Sequence, residues 1–344
     1  MSNETSLSKL PRIDLGIFPT PLHELPTFSK TLGGPRIFIK REDLSGNAFG
    51  GNKTRQVERL LAHARQQGSN AIIACSSSQS NYCLQVAAGA RKLGWQVGVV
   101  QYSGQHPEMQ GNRLLQHIIG SHERILEGSI MSPSFLDHRI QAMEDMASKF
   151  RAEGYTPYIA RTDPPTPYFS LCASGWVDGA VEIHQQLKEL GINSAYLITA
   201  CSSGCTTAGL VLGFRMLASD LKVIAVAASR TREIAHKKIL TAANSTAEYI
   251  GAQERFSESD IDVRDYIGES YGIVSAQSME ATWLLARTEG IFLDPVYSAK
   301  AMAGLIDMVR RGEFTANDTV VFLHTGGTPA IFAYQKEIQD YHMK

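Results

Sequence analysis

Short, unbroken apolar runs alternating with longer helical patterns constrain this chain more than any other feature. Ala71–Ile72–Ile73–Ala74 and Val320–Val321–Phe322–Leu323 carry no polar residue on either side of a pleat. A strand of that kind needs cover on both faces, as in a parallel sheet packed between helices. Strands are expected at "RIFIKRE" (36–42), "NAIIACSS" (70–77), "WQVGVVQYS" (95–103), "SAYLITAC" (194–201), "LKVIAVAAS" (221–229) and "DTVVFLHTGG" (318–327). Helices are expected over 54–68, 80–94, 206–219 and 278–290. Such alternation means an α/β fold with right-handed crossovers. With 344 residues, 43% of them hydrophobic, the chain has material for two lobes. "ARTDPPTPYFSLCASG", residues 160–175, is the least regular stretch, and its prolines and small residues read as the chain crossing between lobes.

The formal net charge of −1 gives no electrostatic reason for nucleic acid or an anionic membrane as partner. A small molecule fits better. Residues 1–18, "MSNETSLSKLPRIDLGIF", hold no apolar run suited to a signal peptide, and no stretch approaches the roughly 20 apolar residues of a membrane span. The expectation is a cytoplasmic protein. Five cysteines without paired spacing, and ten histidines without ligand spacing, give no metal site and read as reduced thiols.

In open α/β sheets ligands bind beyond the carboxyl ends of strands. Three loops there are rich in Ser, Gly, Asn and Thr: "CSSSQSN", "ACSSGCTTAG" and "LHTGGTPA". In the second, Cys201, Ser202, Ser203, Gly204, Cys205 and Thr206 let backbone N–H groups converge at a helix start, a cradle for phosphate or an ordinary capped helix. It is neither a Walker loop nor a dinucleotide fingerprint. Lys53 follows Gly50, Gly51 and Asn52 at another strand–helix junction. A lysine is ordinarily solvated, but glycines strip away side-chain cover, so this amine can lie against a ligand and become nucleophilic by desolvation. A nucleophilic lysine with a phosphate cradle and no Mg²⁺ ligand points to pyridoxal phosphate. Ser80 and Asn81 open a helix that can cap itself or hold a substrate carboxylate. Tyr271 in "ESYGI" and Tyr297 in "DPVYSAK" are loop tyrosines, and Thr325 at a strand end can hydrogen-bond a ring nitrogen or simply cap the turn. His324 beside it reads as structural.

Taken in order, these loops resemble the pyridoxal-phosphate enzymes of the 1-aminocyclopropane-1-carboxylate deaminase / D-cysteine desulfhydrase family, of the tryptophan-synthase-β-like fold (fold type II). The resemblance runs from "PTPLHELP" at Pro19 to "FAY" ending at Tyr334 and is most specific at "KREDL…AFGGNKTR". "QSN", "LDPVYSAKAMAGLID" and "HTGGTPAIFAY" support it independently. It implies two open, twisted, mainly parallel sheets covered by helices, in a large and a small domain with the site between them. The large, cofactor-binding domain would be residues 1–52 and 166–344, the smaller inserted one 53–165. It also implies a homodimer acting on a small amino acid. By resemblance, Lys53 is the lysine that condenses with the cofactor, Asn81 bonds its O3′, and Cys201–Thr206 hold its phosphate. Thr325 partners the pyridine nitrogen, Asn52 lies near substrate, and Ser80, Tyr271 and Tyr297 are active-site groups.

The departures bear on the substrate. The deaminases have "DPVYEGK" and "HLGG", where this chain has Ser298 and "HTGG". Both changes move the nitrogen partner from a carboxylate to a hydroxyl, which leaves the ring a weaker electron sink. The family's "GAIQSNH" is "CSSSQSNYC" here, so Tyr82 replaces a substrate-side histidine. The phosphate loop has Ser202 and Cys205 where further glycines are usual, and the 160–175 stretch lacks the usual "GGS". The expectation is desulfhydrase-like α,β-elimination from a small amino acid to a keto acid and ammonia. Deamination of aminocyclopropane carboxylate, β-replacement and racemisation are the alternatives.

Overall fold

The computed structural model describes residues 10–127, 135–162 and 166–341. The first nine residues of the N-terminal stretch, and residues 163–165 of the expected crossing, lie outside them. The chain opens with β1 (Leu22–Glu24), α1 (Pro26–Leu32) and β2 (Arg36–Lys40). Then come α2 (Lys53–Gln66), β3 (Ala71–Ser77), α3 (Asn81–Lys92), β4 (Gln96–Tyr102), α4 (Gly111–Ile118), β5 (His122–Leu126), α5 (Phe135–Ala152) and β6 (Pro157–Ile159). A long α6 (Tyr168–Glu189) leads to β7 (Tyr196–Cys201), α7 (Cys205–Met216), β8 (Lys222–Ala227) and α8 (Arg232–Tyr249). The last stretch holds β9 (Asp262–Asp265), α9 (Ala276–Glu289), α10 (Ser298–Arg310), β10 (Thr319–Leu323) and α11 (Gln335–Asp340).

Among the described residues the strands form two sheets, one in the order β1-β2-β10-β7-β8-β9 and one in the order β5-β4-β3-β6. Every pairing is parallel except that of β1 with β2 at the edge. The apolar runs have the expected double cover. Ile72 and Ala74 of β3 pack with Val57, Leu60, Val86 and Ala87 of α2 and α3, while Ala71 and Ile73 pack with Met143 and Phe150 of α5. In β10, Val320 and Phe322 face α9 and α10, and Val321 and Leu323 face α6 and α7. The period-2 alternation therefore splits one apolar strand between two cores.

The expected crossing is corrected in part. The stretch read as irregular to residue 175 turns helical at Tyr168 and continues through α6. Its small residues serve helix contacts. A Cβ on Gly175 would overlap the Arg55 carbonyl of α2, and one on Gly209 of α7 would overlap the Ala173 carbonyl of α6. Close helix approach and loop flexibility leave the same compositional mark.

Candidate active site

Four connections leave the carboxyl ends of β2, β3, β7 and β10 and enter one cleft, as parallel sheets direct. A cavity of about 160 Å³ there is lined by Lys53 and Asn52 ahead of α2, Ser80 to Tyr82 at the start of α3, Cys201 to Gly204 and Thr206 around the start of α7, and Tyr297 and Thr325. The structure thus brings together nearly all the residues singled out from sequence. Tyr271 lies one step out, on an adjoining chamber of about 410 Å³ that shares Asn81 and Tyr297. Cys205 stands behind the loop, buried.

Lys53 is half-buried as the first residue of α2. Burial lowers its pKa below the ordinary 10.5, and the thiols of Cys205, Cys172 and Cys201 oppose that shift. Desolvation therefore favours the neutral, nucleophilic amine. The glycines ahead of it have a reason other than stripping cover from the amine. Gly50 (φ 69°) abuts the Asp43 carbonyl. At Gly51 (φ 124°) a Cβ would stand 2.7 Å from Gln85 Nε2 and 2.9 Å from the Thr325 carbonyl. Gly326 approaches from the other loop, where its Cβ would sit 2.5 Å from Gly51 Cα. Two backbones touch, and Asn52 N donates to Thr325 O across the contact at 3.0 Å. Gly51→Ala should therefore cost on the order of 1–3 kcal/mol in strain. A denaturation midpoint equal to the wild type would contradict this account of the contact.

The phosphate-type loop is a built cradle. Gly204 (φ 91°) is the N-cap of the twelve-residue α7 and lines the cavity, and no side-chain hydrogen bond caps that helix, which leaves its first N–H groups open to a ligand. Thr206 Oγ1 accepts from Asn52 Nδ2 at 2.9 Å and Gln56 Nε2 at 3.0 Å, which ties the cradle to the lysine helix. Asn52's amide is engaged in this joint. The Cys205 thiol is held below the ordinary thiol range by the Cys172 thiol beside it, against the opposing effect of burial.

Ser80 caps α3, its Oγ accepting from Cys83 N at 3.1 Å. Asn81 Oδ1 accepts from Asn112 Nδ2 at 2.6 Å, and Tyr82 stands edge-on to Tyr168 (centroids 6.1 Å apart). Ser77, Tyr271 and Tyr297 form a hydroxyl chain with links of 3.0 and 2.7 Å. Burial pushes both tyrosine pKa values up, Tyr297 strongly, so the pair is held protonated. Thr325 is buried, and its hydroxyl makes no hydrogen bond among the described residues. Ser298 differs. Its hydroxyl donates to Asp294 Oδ1 at 2.6 Å, and Asp294 also accepts the N–H groups of Val296, Tyr297 and Ser298 at the start of α10. His324 is a brace, with Nε2 on the Phe292 carbonyl and Nδ1 accepting from Gly326 N.

Sequence reasoning missed Tyr168, hidden in the stretch read as a crossing, and Ser77, which begins the hydroxyl chain. It also passed over Arg230, three residues beyond the end of β8, where the strand-end rule alone would have marked it.

A lysine whose pKa burial lowers, beside a helix start, with an unpartnered hydroxyl and a protonated tyrosine pair, suits an aldehyde cofactor bearing a phosphate and a ring nitrogen. A solved structure described as an ACC deaminase homologue matches with a TM-score of 0.85 and 30% identity over 97% of each chain. Threonine deaminase isoform 2 from Solanum lycopersicum matches at TM-score 0.66 and 17% identity, over 97% of this chain and 86% of that one. A pyridoxal 5'-phosphate-dependent aspartate racemase matches at 0.66 and 19%, over 94% of each chain. These last two show a shared fold. The family model described as pyridoxal-phosphate dependent enzyme matches residues 13–326, and the chain belongs to that family.

Proposed function

We propose that this enzyme carries out α,β-elimination on a small amino acid, releasing a keto acid and ammonia, in the manner of a D-cysteine desulfhydrase. The observation that carries the reading is that, of the two positions the resemblance offers as nitrogen partner, Thr325 lines the cavity while Ser298 is closed onto Asp294. A hydroxyl leaves the ring nitrogen largely unprotonated and the ring a modest electron sink. That suffices to expel a good β-leaving group and is poorly suited to opening a cyclopropane.

In this reading the lobe of residues 53–165 and the remainder close on the substrate in a homodimer. Lys53, Asn81, Thr325 and the loop Cys201–Thr206 would hold pyridoxal phosphate, which supplies the electron sink at the substrate amine. The start of α3, with Ser80 at its cap, holds the substrate carboxylate. Lys53, whose neutral form burial favours, takes the Cα proton. The tyrosines, held protonated, do not compete for that proton; Tyr297 and Tyr271 hydrogen-bond the leaving group, which departs with the proton Lys53 took. The Cα–H and Cβ–X bonds break, HX departs, and the enamine left behind takes up water to give ammonia and the keto acid.

The test incubates the holoenzyme with D- and L-cysteine, L-cysteate, D-serine and aminocyclopropane carboxylate, following keto acid and ammonia. Equimolar keto acid and ammonia from a β-substituted amino acid is the expected result. Epimerisation without ammonia, or turnover of the cyclopropane alone, would refute the reading.

A further inference from the structure

Beside the lysine cavity lies a second one of about 190 Å³, sharing Ser202, Ser203, Tyr168 and Tyr297 with it. Three cations from separate elements line it: Arg139 of α5, Arg230 after β8, and Lys238 of α8. All three are half-buried, and no lining residue among those described is acidic. Arg139 Nη2 reaches Thr162 Oγ1 at 3.3 Å, but its Nε is buried with no hydrogen-bond partner among the described residues. Lys238 makes no ion pair among the described residues, and burial, then Arg230, then Arg139 depress its pKa. Gathering like charges at a half-buried site is unfavourable unless an anion sits among them. The cofactor's phosphate already has the α7 helix start for its charge. Arg230 and Arg139 share the cavity with Tyr102 and Tyr271, on the hydroxyl-chain side.

We propose that this cavity is the subsite for the substrate's β-substituent, and that the substrate carries there a second anionic group, an oxyanion such as a sulfonate, phosphate or carboxylate. The proposal rests on the amino-acid reading above and narrows it. Arg139 and Lys238 bind the oxyanion by charge-assisted hydrogen bonds, Arg230 lines the same pocket, and a neutral side chain forgoes those contacts.

The experiment titrates the pyridoxal-phosphate holoenzyme with cysteate and with serine, each in both configurations, reading binding from the cofactor's visible absorbance. Wild type should prefer the sulfonate by roughly tenfold or more in one configuration, the scale of a charge-assisted contact. Arg139→Gln and Lys238→Gln should each shrink that ratio severalfold while cofactor content after dialysis stays at the wild-type level. Equal affinities for cysteate and serine in the wild type would overturn the proposal and leave the amino-acid reading standing. Variants that shed cofactor while keeping the ratio would also overturn it, by assigning the cluster to the cofactor's phosphate. A holoenzyme whose absorbance answers no amino acid would instead refute the reading beneath.

Discussion

Arg55→Leu should destabilise the protein by about 3–5 kcal/mol, the usual consequence of breaking a buried ion pair by removing one partner. Arg55 is 4% exposed and grips the fully buried Glu42 with two hydrogen bonds, Nε to Oε2 at 3.0 Å and Nη2 to Oε1 at 2.8 Å. Nη2 also reaches Glu182 Oε1 at 2.9 Å, and the guanidinium lies over the Phe18 ring at 4.1 Å. Glu182 retains its ion pair with Lys40 when Arg55 is lost, but among the described residues Glu42 keeps the Thr20 hydroxyl as its one hydrogen-bond donor, with Lys40 acting on it only through space. An uncompensated carboxylate in the core is what costs the energy. Removing both partners tests this. Glu42→Leu with Arg55→Leu should recover most of the loss, giving a coupling energy of at least about 2 kcal/mol in urea denaturation. Additive single effects would mean that Arg55 acts through packing against Phe18 and Trp176 instead. Arg55 lies two residues beyond Lys53 on α2, so the same variant should also loosen cofactor binding.

None of that ion cluster was legible in the sequence. Lys40, Glu42, Arg55 and Glu182 are separated by up to 142 positions, and each alone reads as a surface charge. What sequence does carry is local. The runs of β3 and β10 announced double-faced burial because period-2 alternation was missing, and the structure divides each strand between two cores. The start of α6 was missed because proline and small residues mark a turn and a close helix contact alike, and only the partner helices tell them apart.

The candidate site was readable for a different reason. Its residues cluster at strand ends, where topology forces convergence, so four short loops predict one cavity without any long-range contact being known. The reading of the glycines before Lys53 was less complete. Read from sequence, the glycines strip cover from the amine; the structure sets another stretch of backbone against them, at residues 325 and 326. Arg139, Arg230 and Lys238 belong to no motif and meet only in three dimensions.

Lys53→Ala should lower turnover by roughly 10²- to 10⁴-fold through lost proton transfer alone. It should also abolish covalent retention of the cofactor, read as cofactor remaining after denaturation of borohydride-treated protein. The substitution removes the side chain that serves both needs and disturbs little else, since the helix-forming backbone of α2 accepts alanine. A Lys53→Arg variant imposes a permanent charge and cannot present a neutral amine, so it should fail alike. The pH dependence carries the sign of the shift. A lysine whose pKa is depressed by burial is neutral above that value and loses its nucleophilic form as pH falls through it. Cofactor uptake by the apoprotein should therefore stay fast well below the 10.5 of an ordinary lysine and slow only in the more acidic range. Uptake rising only as pH approaches 10.5 would mean that water reaches the amine freely. Turnover preserved in Lys53→Ala at every pH would move the reacting base elsewhere, and the half-buried Lys238 lines a cavity with Ser202 and Ser203 of the same loop.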